Sequence, residues 1–306
     1  MTKTAFLFAG QGAQKLGMAS DLYEKYPIVR ETFDQASSIL GYNLRDLIDK
    51  EEDKLNQTRY TQPAILTTSV AIYRLLQEKG FKADMVAGLS LGEYSALVAS
   101  GALNFEDAVA LVAKRGEFME TAAPAGTGKM VAVMNTEASL IEDICQKASI
   151  KGVVTPANYN TPAQIVIGGE TEAVNYAVEL LKEVGVKRLI PLKVSGPFHT
   201  ALLAPASKRL SEVLDKVTFS DFDIPLVGNT EAKVMEYSDI KALLARQVKE
   251  PVRFYDSIET MRKLGMTEVI EVGPGKVLSG FLRKIDKSIS TSTVEDEASL
   301  NALLEK

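Results

Sequence analysis

Short apolar runs that end in glycine, proline or asparagine alternate along the chain with stretches in which apolar residues recur every three or four positions. The runs read as strands and the stretches as helices. TAFLFAG, ending at Gly10, predicts a buried strand. Residues 64–79, AILTTSVAIYRLLQEK, predict a helix closed by Gly80, DMVAG a second strand, and NFEDAVALVAKRGEFMETA a helix with Asn104 as its N-cap. The run APAGTG, residues 123–128, is the best linker in the chain. The pattern changes after it. KMVAVM, a helix over 137–148, GVVTPAN, AQIVIGG, a helix over 171–184 and VKRLIPLKV give the order βαββαβ, a ferredoxin-like arrangement of two split βαβ units. Helix and strand then alternate again: a helix near 202–215, a strand in IPLVGN, helices near 238–247 and 253–264, a strand in TEVIEVG and a helix after Gly275. STSTVEDEASLNALLEK reads as a loop and a final helix.

The fold expected from this order is α/β: a large parallel-sheet domain, residues 1–127 and 195–306, interrupted by a small ferredoxin-like subdomain, residues 128–194.

The corner between DMVAG and the following helix reads GLSLG, residues 88–92. A serine between two glycines on a tight strand-to-helix turn projects its hydroxyl toward solvent, the arrangement called a nucleophile elbow, and glycines leave room for the strained backbone. A serine that only caps the next helix would leave the same trace. If Ser90 needs an imidazole base from its own chain, the choice is fixed, because the only histidine is His199, in VSGPFHTALL. The order Ser then His along the chain is that of α/β-hydrolase-type enzymes, and His199 falls where the chain returns from the insert to the main domain.

Arg115 has Leu111, Val112, Phe118 and Met119 as its helical neighbours, so its guanidinium projects from an apolar stripe. A buried guanidinium keeps its charge and needs an anion, either a carboxylate of the chain or one on a substrate, unless it reaches water. FAGQGAQ, residues 8–14, sets glycines after the first strand, but Lys15 breaks the dinucleotide fingerprint and the phosphate-loop pattern is absent. The sequence order suits an oxyanion hole made of the Gln11 and Leu91 N–H groups.

Composition narrows the classes. A chain of 306 residues with 46% hydrophobic and 25% charged residues suits a soluble globular protein. The net charge of −5 argues against a general nucleic-acid binder. No apolar run reaches the length of a membrane span, and MTKTAFLFAGQG lacks the features of a signal peptide, so a cytoplasmic location is expected. One cysteine, Cys145, forms no internal disulfide and sits in a helix as an inert packed thiol. With one histidine and one cysteine, a histidine-rich metal site or zinc finger is excluded.

Seven segments in order, FAGQGAQ, GLSLGEYSAL, RGEFM, NYNTPAQIVIGG, VSGPFHTALL, ARQVKEPVRF and EVGPGKVLSGF, resemble the malonyl-CoA:acyl carrier protein transacylases of fatty acid synthesis, from near residue 6 to near residue 283. The resemblance implies that Ser90 is the nucleophile and carries the malonyl group as an ester, that His199 is its general base and then acid, and that Gln11 and Leu91 N–H groups form the oxyanion hole. It implies that Arg115 pairs with the malonyl carboxylate and that the Gln247 main-chain carbonyl orients His199 in place of an acid. Asn160 falls in the matching NYNTP stretch near the cleft. Phe198 resembles the bulky residue of malonyl-selective relatives. Leu89 stands where many members carry a histidine, a departure that bears on local contacts and leaves the Ser–His pair intact. No resident cofactor or metal is implied: coenzyme A is part of the substrate, and the phosphopantetheine belongs to the acyl carrier protein. That partner is acidic, so docking should use basic residues despite the negative chain, with Lys187, Arg188 and Lys193 or Arg283 and Lys284 as candidates. An esterase or thioesterase with the same elbow, and a non-catalytic acyl-binding module, are the competing readings. The hydrolase has no use for Arg115 as a carboxylate partner, and the binding module would leave Ser90 unlabelled by a serine-directed fluorophosphonate.

Overall fold

The computed structural model describes residues 1–194 and 196–306. The chain opens with β1 (Lys3–Phe8) and then four short helices, α1 (Ser20–Lys25), α2 (Pro27–Leu40), α3 (Leu44–Lys50) and α4 (Glu52–Leu55). The long α5 (Thr58–Glu78) leads to β2 (Met85–Gly88), α6 (Gly92–Ala99) and α7 (Phe105–Ala122). Asn104 caps α7 by accepting the Asp107 N–H, as the sequence predicts. α5 begins six residues before the expected Ala64 and holds Pro63 inside it, where the ring removes one intrahelical N–H.

Next come β3 (Gly128–Met134), α8 (Ala138–Ala148), β4 (Val154–Thr161), β5 (Gln164–Glu170), α9 (Thr171–Glu183) and β6 (Leu189–Pro191). The last part contains α10 (Ala204–Leu214), α11 (Ile240–Gln247), α12 (Phe254–Lys263), β7 (Met266–Val272), α13 (Val277–Ile285), β8 (Ser290–Val294) and α14 (Glu297–Leu304).

Two four-stranded sheets result, ordered β2-β1-β7-β8 and β4-β5-β3-β6. The first is parallel throughout. The second is antiparallel in every pair, and with α8 and α9 on one face it is the ferredoxin-like unit expected from βαββαβ. Alternation along β1 divides the first sheet's core. Phe6 and Phe8 face one apolar cluster with the helices α2, α5 and α7, while Ala5 and Leu7 face another with α12 and α13. In β3, Val131 and Val133 pack under α8 and α9, and Met130 and Ala132 face the opposite way with Val166.

Two expectations are corrected. IPLVGN is not a full strand. It touches β2 through a bridge between Val86 and Leu226 and two hydrogen bonds, then Gly228 turns the chain away; Pro225 has no N–H to extend the ladder. The segment expected to be a loop before the last helix contains β8, an edge strand of serine, threonine and valine whose Ser292 and Val294 are buried. The expected return from the insert at residue 195 lies outside the described residues. Among those residues, no helix is long and apolar enough to cross a membrane.

Candidate active site

Ser90 stands where β2 gives way to α6, with φ of +53°, in the left-handed region that serine occupies only when its surroundings hold it there. Its glycine neighbours make the corner possible. A Cβ on Gly88 would lie 2.0 Å from the Gly92 carbonyl carbon, and one on Gly92 would lie 2.1 Å from the Phe8 carbonyl oxygen. Gly10 is as closely placed, since a Cβ there would sit 2.3 Å from the Leu89 carbonyl oxygen. These contacts press the turn after β1 against the elbow and bring Gln11 to the same cleft as Ser90.

His199 is also in the left-handed region, at φ +62°, and is 4% exposed. Its backbone N–H donates to the Val248 carbonyl, which ties the loop to the end of α11. Its ring Nδ1 lies 2.7 Å from the Gln247 carbonyl oxygen. A carbonyl can only accept, so Nδ1 carries the proton and Nε2 keeps its lone pair. That Nε2 is 2.8 Å from Ser90 Oγ. Burial pushes the His199 pKa down to about 4, the Arg115 charge acts in the same sense, and the Gln247 carbonyl opposes both. At neutral pH the imidazole is therefore uncharged and able to take the serine proton.

Arg115 is 1% exposed and has no carboxylate within ion-pair distance among the described residues. It donates through Nη1 to Gln62 Oε1 at 2.8 Å, and through Nη2 to Gln247 Oε1 at 2.9 Å and to Ser90 Oγ at 3.2 Å. Its guanidinium lies 5.2 Å from the centre of the Tyr94 ring, and its Nε has no hydrogen-bond partner among the described residues. Burial lowers its pKa, yet a guanidinium stays protonated, so an uncompensated positive charge touches the serine oxygen. The nearest anionic influence is Glu93, wholly buried, whose pKa burial pushes up to about 7 against the Asn229 N–H and the Arg115 charge.

The backbone N–H groups of Gln11 and Leu91 form no hydrogen bond among the described residues. The Gln11 side chain donates to Thr58 Oγ1 at 3.0 Å. A cleft of about 530 Å³ opens over Ser90 and His199 and lies between the two sheets. Gln11, Gly12 and Leu89 line it from the parallel-sheet side, and Met130, Asn160 and Val166 from the antiparallel side. Phe198 forms part of the wall beside His199 and is 7% exposed. Asn160 is buried and its Oδ1 has no partner among the described residues. Lys193 is at the wall of the cleft, Arg283 and Lys284 lie exposed on α13, whose Phe281 reaches the cleft, and Lys187 and Arg188 border a different hollow. Cys145 is a buried free thiol on the inner face of α8, with its pKa pushed up to about 12, and is far from nucleophilic.

Three polar residues of the site are invisible in sequence patterning. Gln62 precedes the helix predicted from residue 64, and only the longer α5 places it on Arg115. Glu93 reads as an ordinary first-turn acid of α6 and is fully buried. Asn229 reads as the end of a strand; its position beside the C-terminal end of β2 was the available signal, since such ends gather ligands in open parallel sheets.

A sequence model of the acyl transferase domain matches residues 5–303. The chain is 46% identical over 308 residues to a malonyl CoA-acyl carrier protein transacylase of Bacillus subtilis, covering 100% of this chain and 97% of that one. Against the protein of the same name from Escherichia coli K12 the identity is 45%, with 100% of both chains covered. A crystal structure of MCAT from Streptococcus pneumoniae superposes with a TM-score of 0.98 at 73% identity, over 99% of each chain. A malonyl-transacylase in complex with a type II PKS acyl-carrier protein superposes with a TM-score of 0.96 at 42% identity, again over 99% of each. A half-buried serine on a glycine-flanked corner, paired with a buried histidine, and this similarity along the whole length make the chain a member of the acyl transferase family and, within it, of the malonyl CoA-acyl carrier protein transacylases.

Proposed function

We propose that the protein moves a malonyl group from malonyl-CoA to the phosphopantetheine thiol of an acyl carrier protein by way of an ester on Ser90. The observation that carries the reading is one oxygen with two partners: Ser90 Oγ meets a neutral histidine nitrogen at 2.8 Å and an uncompensated guanidinium at 3.2 Å. His199 Nε2 takes the hydroxyl proton as Oγ attacks the thioester carbonyl. The oxyanion that forms is held by the N–H groups of Gln11 and Leu91. The C–S bond breaks, and the departing thiolate takes the proton from His199. In the second half, His199 takes the proton of the carrier thiol, the sulfur attacks the ester, and Ser90 leaves with the proton returned. The Gln247 carbonyl keeps the same tautomer ready for both halves. Arg115 binds the free carboxylate of the acyl group as a fork. Residues 1–127 with 195–306 serve as the catalytic unit and 128–194 as the inserted unit that closes the cleft. The reaction runs without a resident cofactor, and we assign it to the cytoplasm, in keeping with a single cysteine kept as a buried free thiol.

Intact-mass measurement after mixing with malonyl-CoA should show one malonyl group per chain, lost on Ser90→Ala and discharged on adding acyl carrier protein. Steady release of free CoA without the carrier would instead mark a hydrolase. Arg115 separates the two further. Arg115→Ala should lower kcat/KM for malonyl-CoA about tenfold to a hundredfold, since a charge-assisted hydrogen bond contributes about 1.5–3 kcal/mol. Acetyl-CoA, which has no carboxylate, should hold steady or improve. Arg115→Lys should restore only part of the loss. Equal losses on both substrates would make Arg115 a packing residue.

A further inference from the structure

Both peptide groups of Ser90 are held by side chains from elsewhere in the fold. The Ser90 N–H donates to Asn229 Oδ1 at 2.7 Å, and the Ser90 carbonyl accepts from Gln247 Nε2 at 2.9 Å. The two amides are joined, because Gln247 Nε2 also donates to Asn229 Oδ1 at 3.2 Å. Asn229 Nδ2 completes the arrangement by donating to the Gly88 carbonyl at 2.5 Å, so a single amide spans the corner from Gly88 to Ser90. Asn229 is itself pinned from behind, where its own N–H donates to Glu93 Oε2 at 2.7 Å. It is 1% exposed, and so is Gln247.

The geometry of the peptide gives this clamp a consequence. In a trans peptide the C=O and the next N–H lie in one plane and point in opposite directions. The Ser90 carbonyl and the Leu91 N–H belong to one such unit. The carbonyl, held inward by Gln247 Nε2 at 2.9 Å and by the Glu93 N–H at 3.1 Å, therefore turns the Leu91 N–H outward. Fixing the Ser90 N–H on Asn229 keeps it from competing and holds the residue at its left-handed φ of +53°. We propose that Asn229 is a positioning residue for acyl transfer: through Ser90 and Gln247 it aims the serine oxygen and the Leu91 oxyanion donor. It is buried and does not line the cleft. This rests on the serine-ester reading given above.

Loss of one well-aimed oxyanion donor costs about 10²–10³ in rate. Asn229→Ala should lose part of that: kcat down about tenfold to a hundredfold, with KM for malonyl-CoA within about threefold. Malonyl-CoA binding to Ser90→Ala and to Ser90→Ala with Asn229→Ala, measured by calorimetry, should agree within the same threefold. Asn229→Asp supplies a sharper readout and keeps the shape. Ionised, its carboxylate still accepts the Ser90 N–H but cannot donate to the Gly88 carbonyl. Protonated, it can do both. The ratio of Asn229→Asp to wild-type kcat should therefore climb as pH falls from about 8 to about 5, while a packing defect would leave the ratio flat. If Asn229→Ala does not fold, the Asn229→Asp profile alone decides. Unchanged kcat in Asn229→Ala, a flat Asn229→Asp ratio, or a parallel loss of malonyl-CoA affinity would overturn the proposal. Wild-type protein that takes no malonyl group on Ser90 would instead overturn the reading beneath it, which the same intact-mass measurement distinguishes.

Discussion

A histidine that titrated at its ordinary pKa of about 6.5 would be about a quarter protonated at neutral pH. In His199 two causes lower it, burial first and the Arg115 charge second, to about 4. The sign is direct: the base form is complete at pH 7 and is lost only as pH falls through about 4. The acid limb of kcat/KM, which reports the free enzyme, should accordingly lie well below 6.5 and near 4 when followed with acetyl-CoA, whose acyl group does not ionise. A limb at 6 or above would show that the imidazole is better solvated than its 4% exposure allows. At this scale the sequence was informative where chemistry is rare. A single histidine, a glycine-flanked serine and an arginine on an apolar stripe each left few alternatives. It was silent where the chemistry is common. Gln62 and Asn229 are uncharged amides, and nothing in their local patterns distinguishes a side chain that holds Arg115 or Ser90 from one that faces water.

The corner between β2 and α6 shows how elements, and not single contacts, shape the site. α6 starts so close to β1 that Gly92 has the Phe8 carbonyl where its side chain would be. Phe8 pairs on both sides, with Gly88 and with Val272, so it cannot retreat. Gly92→Ala must therefore lift α6 and with it the Leu91 N–H. Gly80, after α5, makes a useful contrast: its φ is +88°, but no atom of the described residues lies within 4 Å of where a Cβ would be. Gly80→Ala should cost only the left-handed penalty of about 1–2 kcal/mol and leave labelling of Ser90 by a fluorophosphonate unchanged. Gly92→Ala should lower Tm further and cut labelling at least tenfold, as overpacking against fixed backbone predicts. Equal shifts for the two variants would mean that the corner has slack. Strands with two buried faces were legible as apolar runs, as in β1, β2 and β7. β8 was not, because an edge strand of serines and threonines has the composition of a loop and is defined by its pairing with β7. IPLVGN erred the other way: its apolar run is buried as a strand would be, yet only one bridge to β2 forms.

On the scale of the whole molecule, the cleft is a seam between two sheets with separate cores, and its mouth is where a carrier protein must deliver a long prosthetic arm. The chain carries a net charge of −5, so its overall field repels an acidic partner. Docking must then depend on local basic residues acting over about one Debye length, roughly 10 Å at 0.1 M salt. Position separates the candidates. Arg283 and Lys284 lie exposed on α13, the helix whose Phe281 reaches the cleft, whereas Lys187 and Arg188 border a hollow lined by Met134, Leu140 and Val184. Reversing Arg283 and Lys284 to glutamate should raise KM for the acyl carrier protein about tenfold at low salt, an effect that shrinks as salt is added. kcat should not change, because the reacting groups are untouched. Acylation of Ser90 by malonyl-CoA, followed alone by intact mass, should stay within about twofold, which isolates the carrier step. Reversing Lys187 and Arg188 should have the smaller effect, since they stand further from the path of the arm. The reverse ranking would place the carrier on the antiparallel sheet, and a KM indifferent to both pairs and to salt would mean that docking rests on apolar contact.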